Sequence, residues 1–454
     1  MTDATPPTAD LETLTSLAKR RGFVFPSAEI YGGFASTYDY GPLGVEMRRN
    51  IRDSWWRRTV QERADVVGLE AAIITNPAVW RASGHVEVFT DPLVDCLECR
   101  NRFRADKLVD NTCPNCGTVG RFTEARDFNL LMRTFVGPVQ DEAATAYMRP
   151  ETAQGMFVNF ENVQQTTRRR LPFGIAQIGK SFRNEITTGQ FIFRTREFEQ
   201  MEMEFFCHPE QALEWHRYWK EERLAWFHSL GVKPERLRVR DHETEELAHY
   251  SKATADIEYL FNWGWDELEG VAHRGDFDLT AHSNGSGKRL TYFDNDANEH
   301  IVPNVVEPAV GVDRTMLVLL MDAYDEEQVE GETRTVLHLA PHVAPITVGV
   351  LPLSRNERLV PTARKVWDVL RPHFRTQYDD AQAIGRRYRR QDEIGTPLCV
   401  TIDFETIDDD AVTIRDRDTM AQRRVPIAGL VEALRERIEE LTPDVAPPAP
   451  SPFD

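Results

Sequence analysis

The segment KSFRNEITTGQFIFRTREFEQMEMEFF, residues 180–206, decides the fold of this 454-residue chain. Its pattern predicts a strand, a glycine-containing loop and a second strand, which is typical of an antiparallel pair. Strand-like and helix-like runs do not alternate regularly around it, so a doubly wound sheet is disfavoured. The sequence also contains no GxGxxG phosphate loop. We therefore expect an α+β domain with a largely antiparallel sheet.

Alternate side chains of the second predicted strand share one face of the sheet. On that face, two arginines and an aromatic ring precede acidic residues: Arg194, Arg196, Phe198, Gln200, Glu202 and Glu204. Arginine binds phosphate in a bidentate manner, aromatic rings stack on bases, and carboxylates can receive an ammonium group. One face could thus hold a nucleotide phosphate, its base and an amine. The alternative is a solvent-exposed face whose charges pair with one another.

The rest of the chain divides into two domains with loose ends. Helix patterns occur at residues 11–21, at 210–230 and in GPLGVEMRRNIRDSWWRRTVQER, which follows a Gly-Pro turn. Beyond about residue 340, strands and helices alternate, which indicates a separate α/β domain. We predict domains at 10–340 and 341–440, with insertions in the first at about 93–124 and 207–260. The ends, 1–9 and the Pro-rich 441–454, are predicted to be disordered.

Four of the six cysteines lie close together in the sequence, in the pattern C-x2-C-x13-C-x2-C: Cys96, Cys99, Cys113 and Cys116. Two thiolate pairs of this spacing can complete a tetrahedral zinc shell that has no open position for catalysis. Disulfides are the alternative, but nothing in the sequence suggests export to an oxidising compartment. We therefore predict a structural zinc site. Cys207 and Cys399 are predicted to be buried structural residues.

The net charge of −19 by itself disfavours a nucleic-acid partner. The charge is uneven, however, because the window Thr166–Arg196 holds seven basic residues and one acidic residue. Arg386, Arg387, Arg389 and Arg390 form a second basic cluster. Each cluster is either a solvated surface or a phosphate-binding one. Neither a membrane-spanning run nor a secretory signal is indicated, so we expect a cytoplasmic protein without a membrane partner.

Dispersed motifs resemble those of class II aminoacyl-tRNA synthetases. FRNE, its loop and REFEQMEMEFF resemble the second signature motif, and VVEPAVGVDRTMLVLL at 305–320 resembles the third. The GPLGVEMRRNIRDSWW helix resembles the first, which packs across a dimer axis in that family. IYGGFASTYDYGPLG, YMRPETAQGMFVNF, ELAHYSKATADIEY and DFDLTAHSNGSGKRLTYFD narrow the resemblance to the homodimeric glycyl-tRNA synthetases. The resemblance covers roughly residues 11–440.

This resemblance implies activation of glycine by ATP with Mg²⁺, transfer of glycyl to tRNA(Gly), and a homodimer with a C-terminal anticodon-binding domain. It implies catalytic roles for Arg183 on the α-phosphate, Arg314 on the γ-phosphate and Glu202. Phe198 would stack under the adenine. The ATP-binding residues implied are Arg183, Asn184, Glu185, Phe193, Arg194, Thr195, Arg196, Glu197, Phe198, Glu267, Leu268, Gly311, Val312, Asp313 and Arg314.

Glycine has no side chain to grip, so its pocket must be small and must recognise the ammonium group through carboxylates. The glycine-binding residues implied are Arg104, Glu151, Phe198, Glu199, Gln200, Met201, Glu202, Arg274, Glu307, Pro308, Ala309, Val310 and Gly311. Many relatives have serine where this chain has Ala309, so a hydroxyl beside the α-carbon of glycine is missing here.

Two other functions fit the same motifs. Another class II synthetase, for threonine, proline or histidine, would share the core and the C-terminal domain, but the carboxylates and the RPETAQG segment favour glycine. A non-catalytic tRNA-binding paralogue would be expected to lose the phosphate-binding arginines, and Arg183, Arg196 and Arg314 are all present.

Overall fold

The structure is a computed structural model that describes residues 9–186, 189–243, 246–247, 251–444 and 447–453. The predicted disordered segment 1–9 lies outside the described residues except for Ala9, which is buried. Within the described ranges, none of the helices has the length and apolar character needed to cross a bilayer.

The described part of the first domain combines helices with mostly antiparallel strands. Its strands are β1 (Val24–Pro26), β2 (Tyr38–Tyr40), β3 (Val66–Gly68), β4 (Thr90–Asp95), β5 (Arg102–Arg104), β6 (Arg126–Asn129), β7 (Met132–Phe135), β8 (Thr145–Met148), β9 (Phe173–Phe182), β10 (Glu197–Cys207), β11 (Leu237–Asp241), β12 (Ala253–Phe261), β13 (Gly264–Gly275), β14 (Tyr292–Asp294), β15 (Glu299–Ile301), β16 (Asn304–Gly311), β17 (Tyr324–Val329) and β18 (Glu332–Leu337). Its helices are α1 (Leu11–Arg21), α2 (Pro42–Trp56), α3 (Pro77–Ala82), α4 (His85–Val88), α5 (Ala153–Val158), α6 (Phe160–Thr167), α7 (Ala212–Ser229), α8 (Phe277–Ser286) and α9 (Val312–Ala323).

A seven-stranded sheet in the order β11-β12-β13-β16-β10-β9-β3 forms the centre of the first domain. All neighbouring strands are antiparallel except β9 and β3, which confirms the predicted α+β class. On β10, the odd-numbered Met201, Met203 and Phe205 are buried in the core with α2, α7 and α9. Because side chains alternate along a strand, the even-numbered side chains point to the opposite face. That face forms the floor of a cavity.

Helix α2 begins at Pro42, directly after Gly41, as the Gly-Pro turn predicted. A Cβ at Gly44 would lie 1.9 Å from the carbonyl oxygen of Phe23, so only glycine allows the helix to approach this close. Met47 and Ile51 are buried, but Val45 is 43% exposed. One flank of α2 is therefore open to solvent.

The predicted second strand is shorter than expected. Residues Phe191–Phe193 form a 3-10 turn, and Gln190 and Phe191 before and within it have positive φ angles of 57°. Strand β10 therefore begins only at Glu197, so Arg194 and Arg196 approach the sheet from this turn rather than lying on its face. The predicted helix at 210–230 is confirmed as α7, and the helix at 11–21 is confirmed as α1.

The second domain is an α/β unit, as predicted. Its strands are β19 (Val348–Pro352), β20 (Thr376–Tyr378), β21 (Leu398–Ile402), β22 (Ala411–Asp416) and β23 (Gln422–Pro426). Its helices are α10 (Val360–Leu370), α11 (Ile384–Glu393), α12 (Glu405–Asp409) and α13 (Leu430–Leu441). The sheet order is β20-β19-β21-β22-β23, with parallel pairing on both sides of β19 and antiparallel pairing beyond β21. Helices α10 and α13 pack on it.

A buried ion network joins the two domains. Asp392 of α11 is fully buried and accepts hydrogen bonds from Arg334 of β18 at 2.9 Å and from Arg415 of β22 at 3.0 Å. Removing Asp392 would take away the carboxylate that pairs with the buried Arg415, and breaking a buried pair in this way typically costs about 3–5 kcal/mol. The second domain therefore supplies a buried partner, Asp392, to an arginine of the first domain.

The described part of the C-terminal segment differs from the predicted disordered tail. The Tyr218 hydroxyl donates to the carbonyl of Ala449 at 2.7 Å, and the Ala449 N–H donates to Glu222 at 3.2 Å. The ring of Phe453 lies 5.7 Å from that of Trp215. The segment thus lies along α7, because the aromatic residues of that helix offer a surface on which it can pack.

Candidate active site

A cavity of about 480 Å³ opens above the even-numbered face of β10 and the neighbouring strands β13 and β16. Ligand sites commonly have volumes of about 300–1,000 Å³. The predicted site residues that line it are Arg104, Glu151, Arg183, Glu185, Phe193, Arg194, Thr195, Phe198, Gln200, Glu202, Glu267, Leu268, Glu307, Ala309, Val310, Gly311, Asp313 and Arg314. Segments far apart in the sequence therefore meet around one space.

One end of the cavity is lined by arginines, and we call Arg183, Arg194 and Arg314 the arginine end. Arg183 follows the last residue of β9, and its Nε donates to the carbonyl of Pro150 at 3.0 Å. Its guanidinium carbon lies 5.4 Å from the ring centre of Phe198. Arg194 pairs with Glu185 at 3.3 Å. These cations are only half-buried, so they remain accessible to an anionic ligand.

Arg314 reaches the same end from the opposite wall. It lies in the first turn of α9, and its guanidinium stacks 4.4 Å from the ring centre of Phe193. Its Nη1 is 3.1 Å from the Glu267 carboxylate, whose side chain is 50% exposed. Arg314 holds the pKa of Glu267 below its usual range, with a smaller contribution from Arg183. The carboxylate therefore stays ionised between two arginines at the cavity mouth.

The other end is lined by the carboxyl groups of Glu151, Glu202 and Glu307, with Glu204 buried behind them, and we call these four residues the carboxylate end. Glu202 accepts hydrogen bonds from the backbone N–H of Thr152 at 3.0 Å and from its hydroxyl. Glu202, Glu204 and Glu307 each place an oxygen within 4.8 Å of the others. Since three like charges this close repel strongly, the group as a whole favours a bound cation.

The pKa values at the carboxylate end differ from one residue to the next. Burial, reinforced by Glu307 and Glu151, raises the pKa of Glu202 to about 8. Burial also raises the pKa of Glu307, although Arg274 opposes it, and it raises that of Glu204 well above its usual range. Burial alone would raise the pKa of Glu151, but His85 and Arg274 reverse the effect and hold it low. Glu151 is thus ionised, whereas Glu202 gains or loses a proton near neutral pH.

Arg274 lies behind the carboxylate end rather than in the cavity wall. Its guanidinium is buried and donates to Asp278 at 2.7 and 2.9 Å and to Glu307 at 2.7 Å. Because these carboxylates engage it, Arg274 is placed to hold Glu307, and its contact with glycine stays a prediction. Gln154 ties Asp278 to Glu151 by donating to both at 2.9 Å.

Strand alternation directs some predicted residues away from the cavity. Met201 points into the core, and Glu199 forms ion pairs with Arg48 at 2.7 Å and Arg52 at 3.1 Å of α2. Asp313 touches the cavity but is engaged from behind, since it accepts from the Tyr40 hydroxyl and from the Glu199 N–H. The other predicted residues outside the cavity lining are Asn184, Arg196, Glu197, Arg274, Pro308 and Val312.

Arg196 and Glu197 have local structural contacts instead. Arg196 donates to the carbonyls of Ala35 at 2.9 Å and Glu185 at 3.3 Å, so it holds the loop after β9 in place. Glu197 is exposed and pairs with Lys180. Arg196 directly precedes β10 and Glu197 begins it, because the 3-10 turn at Phe191–Phe193 replaces the first part of the predicted strand.

The two basic clusters are only partly available to a ligand. In the first, Arg168 and Arg170 are exposed at the far end of β9 from Arg183, so the window does not form one surface. In the second, Arg387 is buried and donates to the carbonyls of Asp380 and Gln382. The other members lie on α11, where Arg390 pairs with Asp379 at 2.6 Å and Arg386 is exposed.

The four cysteines of the insertion lie together after β4 and beyond β5. The Sγ atoms of Cys96 and Cys116 are 3.7 Å apart, and those of Cys99 and Cys113 are 3.6 Å apart. A tetrahedron with Zn–S bonds of about 2.3 Å has sulfur–sulfur edges of about 3.8 Å. The donor set therefore fits zinc.

The cysteine insertion also forms part of the cavity wall. Strands β4, β5 and β6 form a three-stranded sheet, which carries Asp91 on β4 and Arg104 on β5. Arg104 pairs with Asp91 at 2.9 Å, and both line the cavity. The four cysteines thus lie in the connections between the strands that bring Arg104 to the cavity, and a metal bound there would anchor those strands.

Some lining residues were not predicted from the sequence. They include Phe89, Asp91, Leu130, His242, Thr254, Asp256, Gly270 and Ala272. Glu204 was also missed as a site residue, although its even position on the second strand places it on the face of Glu202. For the others, no local sequence signal exists, because their placement depends on how distant segments pack.

The comparisons with known proteins agree with this geometry. A family model described as the tRNA synthetase class II core domain (G, H, P, S and T) matches residues 135–323. A second, the anticodon binding domain, matches residues 347–437. The chain is 55% identical over 452 residues to the glycine–tRNA ligase of Thermobifida fusca, with 94% of this chain and 98% of that protein covered. It is 54% identical over 452 residues to that of Streptomyces coelicolor, with the same two coverages.

A solved structure shares the fold at low sequence identity. The prolyl-tRNA synthetase from Cryptosporidium parvum, complexed with L-proline and AMP, superposes with a TM-score of 0.65 at 16% identity. The match covers 96% of this chain and 80% of that one. At this identity the likeness concerns the architecture alone.

Proposed function

The chain belongs to the glycine–tRNA ligase family of class II synthetases, and we propose how the two ends of its cavity divide the work of that reaction. The enzyme activates glycine with ATP to glycyl-adenylate and transfers glycyl to the 3′ end of tRNA(Gly). The observation that carries the proposal is the contrast within one cavity, with accessible arginines at one end and buried carboxyl groups at the other.

At the arginine end, ATP binds through its phosphates. Arg183 holds the α-phosphate, Phe198 stacks under the adenine, and Arg314 holds the γ-phosphate from the other side of the adenine. Arg183 already lies against the Phe198 ring, so a base on that ring would place its α-phosphate near the guanidinium. Fixed cations of this kind stabilise the charge that grows on phosphate oxygens in the transition state. Mg²⁺, when bound, neutralises the polyphosphate, and Glu267 is the half-exposed carboxylate placed to hold it.

At the carboxylate end, the ammonium group of glycine binds among Glu151, Glu202 and Glu307. Ala309 lies beside Glu202 in the β10–β16 register, and Gly270 lies on the other side of Ala309. These small residues leave room for the backbone of glycine while a methyl group limits larger amino acids. Recognition of an amine by buried charges also discriminates, because a neutral ligand would leave them unpaired.

The chemistry follows from bringing the two substrates together. An oxygen of the glycine carboxylate attacks the α-phosphorus of ATP, the bond to the bridging oxygen breaks, and pyrophosphate leaves. A hydroxyl of the terminal ribose of tRNA then attacks the glycyl carbonyl carbon, and AMP leaves. Both steps require orientation and electrostatic stabilisation rather than a covalent enzyme intermediate.

Further parts of the proposal concern assembly. We propose a homodimer that uses the exposed flank of α2, where Val45 and Arg49 adjoin a half-buried Trp56. A monomer in light scattering at micromolar concentration would contradict the dimer.

Two further proposals concern the insertion and the second domain. The four cysteines bind a structural zinc ion, and the C-terminal domain, residues 341–440, contacts the anticodon of tRNA. Because ATP, glycine and tRNA meet in the cytoplasm, we place the activity there.

The decisive experiment is ATP–pyrophosphate exchange measured with each amino acid in turn. We expect exchange with glycine and at least tenfold less with alanine, threonine, proline or histidine, since one extra methyl group is typically worth about 1–3 kcal/mol. Preference for a different amino acid would refute the assignment of the carboxylate end to glycine.

A further inference from the structure

Glu204 is the member of the carboxylate end for which neither the sequence nor the proposed reaction provides a role. It lies two residues after Glu202 on the same face of β10, toward the C-terminal end of the strand. The register places Glu202 beside Ala309 and Phe205 beside Val306, so Glu204 lies opposite Glu307. On its other side is Ile175 of β9. Its side chain is completely buried and does not reach the cavity wall.

The surroundings of Glu204 cannot support a negative charge. Neither of its carboxyl oxygens has a hydrogen-bond partner among the residues that the structure describes. The charged groups that act on it are Glu307 on β16, Arg274 on β13 and Glu202 on β10. Glu151 before α5 and Asp278 on α8 act in turn on its neighbour Glu307. Four of these five groups are acids. An ionised carboxylate without a donor in such a place would cost several kcal/mol.

A proton on Glu204 resolves this conflict. The carboxyl groups of Glu204 and Glu307 lie within 4.8 Å, and two carboxyl groups can share a hydrogen bond only when one of them is protonated. Glu307 already accepts from Arg274 at 2.7 Å, which favours its ionised form, so the proton belongs on Glu204. Burial raises the pKa of Glu204 well above its usual range, in agreement with this assignment.

We infer that Glu204 is a positioning residue that remains a carboxylic acid and donates its O–H to the carboxylate of Glu307. Glu307 is then held from two sides, by Arg274 and by Glu204, and presents its remaining lone pairs to the cavity. This deepens the proposed function and rests on it, because Glu307 is there one of the groups that receive the ammonium group of glycine. Glu204 itself does not touch the substrate.

Two substitutions separate a neutral donor from a charge. Glutamine keeps the shape of a protonated glutamate and offers an N–H in place of the O–H, whereas methionine keeps the length but has no donor. In glycine-dependent exchange by the full-length protein, we expect Glu204→Gln to keep the glycine KM within about threefold of the wild type. Glu204→Met should raise it about tenfold or more, while the ATP KM stays within about twofold, since a lost charge-assisted hydrogen bond costs about 1.5–3 kcal/mol.

The comparison variant is Glu202→Gln, which removes a charge that the proposal assigns to the ammonium group. If Glu204→Gln raises the glycine KM as much as Glu202→Gln does, Glu204 acts as a charge and the inference is wrong. The inference also fails if Glu204→Met leaves the glycine KM unaltered. Loss of exchange with glycine in the wild type would instead refute the proposed function.

A spectroscopic measurement tests the proton without activity. We expect infrared difference spectra at neutral pH, wild type minus Glu204→Gln, to contain the carbonyl stretch of a protonated carboxylic acid. The Glu202→Gln protein should retain that band, which assigns it to Glu204. A difference spectrum without this band, although both proteins are folded by circular dichroism, would overturn the inference even if Glu204→Met cannot be purified, because Glu202 contributes equally to both spectra and cancels.

Discussion

The two ends of the cavity are built from different kinds of structure. The cations of the arginine end come from a loop, a 3-10 turn and the first turn of a helix, and they are half-buried. The carboxyl groups of the carboxylate end come mainly from adjacent sheet strands, and their positions are fixed by strand register. Phosphate oxygens can be reached by long side chains from the rim, whereas a small amine must be enclosed by groups that are already in place.

The difference also concerns how charge is stabilised. Arg183 and Arg314 contact backbone carbonyls and aromatic rings, and their side chains remain partly open to the cavity. The carboxylate end holds more acids than nearby cations, and Glu202 reduces the repulsion by binding a proton. The first end is thus ready to bind an anion, whereas the second has to exchange a proton for its ligand.

The largest expected effect is at the arginine end. Replacing Arg183→Ala removes the cation nearest the predicted α-phosphate, and we expect kcat/KM for glycine-dependent exchange to fall about 10²–10³-fold, as when other preorganised transition-state contacts are removed. The matched control is Arg170→Ala, an exposed arginine at the far end of β9, which should retain exchange. Comparable loss in both variants, with both folded, would mean that general charge rather than position matters.

At the carboxylate end, a single substitution should act on one substrate only. Glu202→Gln keeps the shape and the bonds to Thr152 but removes the charge, so we expect the glycine KM to rise about 10–100-fold. The ATP KM should change little, because ATP binds at the other end. Steady-state exchange with each substrate varied separately measures both values. If the two KM values rise together, the ends are not independent.

The affinity for glycine should depend on pH, whereas the affinity for ATP should not. Glycine's ammonium group displaces the proton from Glu202, so glycine affinity should rise with pH by up to about tenfold per unit from about pH 6 to about pH 8. ATP affinity should not follow this trend. Isothermal titration at several pH values measures both, and Glu202→Gln should remove the glycine trend. A slope that survives this substitution would assign the proton to another group.

The same proton affects folding stability. Because the folded pKa of Glu202, about 8, lies above its usual 4.5, its contribution is complete below about pH 4.5 and is lost as pH rises through about 8. Glycine should restore it, so the rise in Tm caused by glycine should be larger at high pH.

Sequence patterns predicted the carboxylate end better than its surroundings. Period-two alternation places Phe198, Gln200 and Glu202 correctly on the cavity face. The same alternation turns the side chains of Glu199 and Met201 away from the cavity, although both are adjacent to Gln200 in the motif. It also puts Glu204 on the cavity face, but a buried carboxyl without a donor is recognised only once its neighbours on other strands are known. The long-range placement of Asp91 and His242 has no local sequence signal.

The cysteine insertion should influence the cavity more weakly, through Arg104. Replacing Cys99→Ser and Cys113→Ser should remove about one zinc per chain, which metal analysis would detect. Exchange should fall several-fold, because the sheet that carries Arg104 loses its anchor. Cys207→Ser, a buried cysteine outside the cluster, is the control and should retain the metal. Zinc that stays bound after the double substitution would contradict the four-cysteine site.

The smallest effect is expected farthest from the cavity. Arg386 is exposed on α11 and Arg389 is half-buried there, and neither forms an ion pair with the described residues. If they meet tRNA phosphates, the double substitution Arg386→Gln and Arg389→Gln should raise the tRNA KM a few-fold and lower the salt slope by about one to two, while exchange is retained. The full-length chain is needed, because removing the domain would deprive the buried Arg334 of Asp392 and leave it only Glu327 as a partner among the described residues. The control is Arg168→Gln with Arg170→Gln on β9's distant end, and equal losses in both pairs would show that net charge, not these positions, attracts tRNA.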